Sequence, residues 1–92
     1  MALTITQQDN TIFLEGTLNN STIKNFKTHF GFVLNAHAGV TLNIEKVTEI
    51  DNSSMITLKE IYRNAVLNNN LFFVAGPRSE EIYEDFQFMN IA

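Results

Sequence analysis

A chain of 92 residues with no cysteine, 45% hydrophobic and 17% charged residues, is the size of one domain and apolar enough to fold around a core without disulfides or zinc-thiolate sites. Its formal charge of −4 at pH 7, with only six scattered basic residues, argues against a nucleic-acid binder, which needs clustered Lys and Arg to displace counterions. The amino-terminal "MALTITQQDN" has neither a basic nor an apolar leader segment, and no stretch approaches 18 apolar residues, so the expectation is a soluble cytoplasmic protein without direct membrane insertion.

The elements follow in chain order. "LTITQ" and "TIFLEG" have strand composition, and "QQDN" between them has turn composition, which predicts an opening antiparallel hairpin. After Gly16 the period changes. In "TLNNSTIKNFKTHFGFVLNAHA", Ile23, Phe26, Phe30, Val33 and Leu34 recur at helical steps, with Asn19, Asn20 or Ser21 as the cap and Gly31 as a weak point inside the helix.

"GVTLNIEKV" returns to strand with Val40, Leu42 and Ile44 on one face. A second helix is predicted to start within Asp51 to Ser54 and to run to Leu67, with Met55, Leu58, Tyr62 and Ala65 aligned and "NNN" at 68–70 as its stop. "LFFVAGP" reads as a strand covered on both faces and closed by Gly76 and Pro77. Ser79, Glu80 and Glu81 open a last helix, whose inward face is Ile82, Phe86 and Met89. The order β-β-α-β-α-β-α predicts an α/β fold: a single mixed sheet, an antiparallel hairpin followed by βαβ units, with helices packed on the sheet and residues 1–92 as one domain.

Catalytic residues are not indicated. His29 and His37 lack a metal-ligating or nucleophilic partner at a useful spacing, and Glu80, Glu81, Glu84 and Asp85 form the solvated face of one helix. The four glycines are too dispersed for a phosphate loop, and Lys59 with Arg63 reads as a pair of solvated charges. No metal site and no cofactor is expected. What remains is "EIDNSSM", residues 49–55, where a strand exit delivers polar side chains to a helix N-terminus, a place that favours an anion. Read locally, Asp51, Ser53 or Ser54 is a helix cap. Read functionally, a hydroxyl here is a candidate phosphate acceptor on a docking surface.

Together, "TLNIEKVTEIDNSSMITLKEIYRNAVLNNNLFFVAGPRSEEIYEDFQFMNI" and the upstream "FLEGTLNNSTIKNF" resemble the STAS domain, shared by bacterial anti-sigma factor antagonists and the cytoplasmic tails of sulphate transporters. The "IDNSSM" segment is similar to that family's "D-S-S-G". In the antagonists, the serine directly after the Asp is phosphorylated by a kinase that is also the anti-sigma factor, and phosphorylation releases the complex. On this resemblance Asp51 is the motif's Asp, Asn52 replaces the phospho-serine, Ser53 is the second serine and Ser54 replaces the glycine. Asn19 stands where the family often has Asp.

An amide cannot accept phosphate, so the family's usual switch does not carry over to Asn52. The resemblance implies a non-enzymatic regulatory module. It docks an anti-sigma factor or serine kinase through Asp51, Asn52, Ser53, Ser54, Asn19 and Asn20, with Ser53 the possible phosphorylation site. The alternatives are a STAS subunit stabilising a transporter ATPase, and a small-ligand-binding STAS domain. The resemblance also implies that the usual last strand and helix are missing from this chain.

Overall fold

The computed structural model describes residues 3–82. The elements are β1 (Leu3–Gln8), β2 (Thr11–Leu18), α1 (Ile23–Ala36), β3 (Thr41–Ile50), α2 (Asn52–Leu67) and β4 (Phe73–Ala75). The chain re-enters helix at 79–82. The predicted order therefore holds, and Ile82 is buried as expected. The other two inward positions assigned to the last helix, Phe86 and Met89, lie outside the described residues.

Among the described residues the strands form one sheet, in the order β1-β2-β3-β4. β1 and β2 make the expected antiparallel hairpin, from Leu3 opposite Gly16 to Gln8 opposite Thr11, with Asp9 in the left-handed region at the turn (φ 55°). β2 with β3 and β3 with β4 run parallel. A helix crosses over between the strands of each parallel pair, as such pairs require.

Both crossovers move in the same direction along the sheet, and right-handed crossovers then place α1 and α2 on the same face. Burial agrees. Ile12, Leu14, Leu42, Ile44 and Val74 of the strands share one core with Phe26, Phe30 and Val33 of α1 and Met55, Leu58, Tyr62 and Ala65 of α2. Aromatic rings join the layers: Phe26 stacks on Phe30 at 5.2 Å, and Phe72 meets Phe30 and Tyr62 edge-on at 4.8 and 5.4 Å.

The same geometry corrects the reading of "LFFVAGP". Phe72 and Val74 are buried, but Leu71 and Phe73 are 43% and 53% exposed, so the run alternates and is covered on one face only. Its apolar composition resembles that of a doubly covered strand. With both crossovers on one side, however, no described helix reaches the other side of the sheet.

Two further local features position the site. β3 extends beyond the predicted strand to Ile50, and its register with β2 shifts twice. Between the pairs Phe13–Asn43 and Glu15–Lys46 it uses three residues against two, and between Gly16–Val47 and Thr17–Glu49 two against one. The Asn43 carboxamide oxygen accepts the Glu45 N–H at the first shift, and the Thr48 hydroxyl donates to the Gly16 carbonyl at the second. At its far end α2 stops where "NNN" predicts. Asn69 adopts φ 56°, and the Asn70 and Asn69 N–H groups return to the Ala65 and Val66 carbonyls, the paired closing bonds of a Schellman motif.

Candidate functional site

The parallel strands β2, β3 and β4 all deliver their carboxyl ends to one edge of the sheet, where open α/β sheets place their ligands. β2 leads there into residues 19–22 and β3 into α2. The two connections are tied by a bond between the Asp51 N–H and the Leu18 carbonyl, 3.1 Å.

Asp51 is the cap of α2. Its backbone is extended, and its carboxylate accepts the Ser54 N–H at 2.8 Å while its carbonyl accepts the first helical bond, from Met55. Of the three capping candidates in the sequence, geometry selects Asp51, because a cap side chain reaches the N–H three residues on. The carboxyl is held below its ordinary value of 3.8, chiefly by the Ser54 hydroxyl nearby and the Ser54 N–H, with desolvation opposing and Ser53 and the Asn20 backbone assisting. Ser54 Oγ nevertheless completes no hydrogen bond. In a capping box the third helical side chain answers the cap's own N–H, but Leu18 already holds that group.

Ser54 is therefore a correction. It was expected on the docking surface, and it is fully buried in the first turn of α2, out of reach of a partner or a kinase. Asn52 and Ser53 are exposed, and Asp51 is partly so. Ser53 is the point where the two connections meet: its hydroxyl lies 2.6 Å from the Asn20 carboxamide oxygen and 3.1 Å from an Asp51 carboxylate oxygen. A hydroxyl has one proton, so it donates to one of these at a time.

Asn19 and Asn20 are present at the site in different roles. The Asn19 carboxamide oxygen accepts the Ser21 and Thr22 N–H groups at 2.9 and 3.2 Å, closing the turn before α1. Thr22, not Asn19, Asn20 or Ser21, occupies the cap position of α1, and it makes no side-chain cap bond, because its hydroxyl donates to the Thr17 carbonyl instead. Asn20 is left exposed to meet Ser53.

Arg78 completes the edge, and nothing in the local sequence marked it. In the turn after β4 it takes φ 70°, donates to the Ile50 carbonyl at 3.2 Å and makes a forked pair with Glu81 at 2.6 and 3.3 Å. An open cleft of about 470 Å³ lies between Thr17, Asn19, Thr48, Glu49, Asp51 and Arg78. The usable signal was topological, since a residue just after any parallel strand reaches the same edge as "EIDNSSM".

His29 and His37 are both exposed and lie outside this edge. Among the described residues no group of three or more His, Asp or Glu is placed to hold a metal ion, and no helix is long and apolar enough to cross a membrane.

No family model and no curated protein matches the chain. A similar solved structure, described as "Crystal Structure Analysis of Mglu", superposes with a TM-score of 0.65 over 82% of this chain, at 17% identity. The likeness is one of fold alone. This chain spans 19% of that protein's length, so the same arrangement of strands and helices there forms a minor part of a longer polypeptide.

The exposed groups of this edge are hydrogen-bond donors and acceptors. A carboxylate whose pKa is lowered is a weak base, so Asp51 is poorly suited to take the Ser53 proton. The same carboxylate, the Asn20 and Asn52 carboxamides and the Ser53 hydroxyl offer a partner a compact set of donors and acceptors.

Proposed function

We propose that this protein is a non-catalytic regulatory module that docks a protein partner through Asn19, Asn20, Asp51, Asn52 and Ser53. The observation that carries the reading is the exposed Ser53 hydroxyl held between Asn20 and Asp51, each on a connection that its own hydrogen bonds fix. A surface ordered before binding loses little conformational entropy when a partner arrives. By its resemblance to anti-sigma factor antagonists, the partner is an anti-sigma factor with serine-kinase activity, and Ser53 is the hydroxyl within its reach.

A second reading is favoured by Asn52, which removes the usual phosphate acceptor: a constitutive STAS-type subunit stabilising a transporter ATPase in the cytoplasm. The two separate in one experiment. The protein is isolated with its native partner, which is identified, and the pair is incubated with ATP and analysed by intact mass. Addition of one phosphate, abolished in Ser53→Ala, supports the kinase partner. An unmodified protein in a stable complex with an ATPase supports the subunit. For either partner, Asn52→Asp is expected to weaken binding about tenfold, and unchanged affinity in both Asn52→Asp and Asn20→Ala overturns the docking surface.

A further inference from the structure

The face of the sheet turned away from α1 and α2 is not flat. Thr6, Phe13 and Asn43 stand side by side across β1, β2 and β3, and so do Thr4, Glu15 and Lys46 one step further along. Between these two rows β3 uses three residues against two of β2, and the extra residue parts them. A cavity of about 220 Å³ opens there, lined by both rows and by Glu45. Its shape is held by the fold: the Asn43 carboxamide oxygen accepts the Glu45 N–H at 2.9 Å, and Gly76 lies against the Glu45 backbone from the turn after β4.

The lining selects the occupant. Phe13, half-buried, gives the cavity an apolar wall, while Glu15, Glu45 and Lys46 are exposed and bring charge of both signs. Glu15 and Lys46 are register partners, yet among the described residues neither they nor Glu45 form an ion pair. A simple cation placed here meets Lys46, and a simple anion meets Glu15 and Glu45. A molecule that carries both charges close together beside an apolar group answers the whole lining. At roughly 30 Å³ per water molecule the cavity has the volume of about seven waters, room for a free amino acid and too little for a peptide or a nucleotide.

We propose that this cavity binds a free α-amino acid with an apolar side chain. Its ammonium lies between Glu15 and Glu45, its carboxylate meets Lys46 and the Asn43 carboxamide N–H groups, and its side chain covers the Phe13 ring, with the Thr4 and Thr6 hydroxyls at the rim on the β1 side. Exposed charge pairs contribute little each, so the affinity is about millimolar. The site stands on the fold and is independent of the docking reading above.

Titration of the isotope-labelled full chain with L-leucine, followed by backbone amide NMR shifts, tests it. Shifts are expected in residues 4–6, 13–15 and 43–46, saturating with a Kd of about 1 mM. L-leucinamide, which lacks the carboxylate, and N-acetyl-L-leucine, which lacks the ammonium, should each bind about fivefold or more weakly. Glu15 and Lys46 are exposed, so their variants should keep the remaining amide spectrum unchanged. Lys46→Gln should weaken leucine about fivefold and leave leucinamide unaffected, and Glu15→Gln should weaken leucine and leave N-acetyl-leucine unaffected. No saturation below about 20 mM, shifts centred elsewhere, a blocked compound that binds as tightly as leucine, or leucine binding unchanged in either variant overturns the proposal.

Discussion

Gly76 lies directly against the backbone of Glu45: a Cβ on Gly76 would stand 2.8 Å from the Glu45 nitrogen and 3.1 Å from the Ile44 carbonyl carbon. The turn after β4 therefore packs on the first register shift of β3, where Asn43 supports the bulged chain. Gly76 also adopts φ 126°, a conformation costly for any residue with a side chain. Gly76→Ala combines both penalties and is expected to destabilise the fold by about 2–3 kcal/mol. The measurement is the urea midpoint, with the slope unchanged. A loss under about 0.5 kcal/mol would show that the turn shifts freely.

Gly31 is the opposite case. It sits inside α1 with nothing within 4 Å of an added Cβ and without a positive φ. Gly31→Ala should stabilise the protein by about 0.5–1 kcal/mol, because the helix loses less chain entropy on folding. Thermal unfolding of the two single variants side by side distinguishes a glycine that the fold requires from one that it tolerates.

Ser54 is buried with an unanswered hydroxyl. Replacing it by alanine removes an unpaired polar group at little cost in volume, and Ser54→Ala is expected to leave stability unchanged or to raise it by about 1 kcal/mol. The thermal midpoint of the variant checks this, and a clear fall would show that the Ser54 hydroxyl is hydrogen-bonded in the fold.

The acid limb of stability follows from Asp51 and Glu81. Both carboxyls are lowered in the folded protein: Asp51 by its capping turn, and Glu81 by its hydrogen bonds with Arg78, assisted by the charges of Arg78 and Lys59. A group that holds its proton less tightly when folded adds stability above its unfolded value, and loses it as pH falls through the folded one. The thermal midpoint should thus be level near neutrality and drop below about pH 4, close to the ordinary values of 3.8 and 4.5. Asp51→Asn keeps the cap and should flatten part of this drop, whereas Asp51→Ala should lower the midpoint at neutral pH. Parallel curves for wild type and Asp51→Asn would remove Asp51 from the acid transition.

At the other end of α2, Asn69 occupies the left-handed position that closes the helix. Asn69→Gly should be neutral or slightly stabilising, and Asn69→Val should cost about 1–2 kcal/mol, because a β-branched side chain is strained at positive φ. Equal midpoints for the two variants would mean that the closing bonds re-form with another residue at that position.

Much of this architecture was legible along the chain. The hairpin, the helical spacing from Ile23 to Val33, the limits of α2 and its "NNN" stop all express local chemistry: period, capping reach and left-handed tolerance act within a few residues of each other. Val40, Leu42 and Ile44 were placed on one face by alternation alone. What local chemistry did not contain is which sheet face is covered, that Ser54 turns inward while Ser53 meets Asn20 from 33 residues away, and that Arg78 arrives beside Asp51. Nor did it mark Gly76 as the seat of a bulge in another strand. Each of these depends on the direction in which two crossovers carry the chain across the sheet, and that choice is made by packing of the assembled core rather than by any one segment of it.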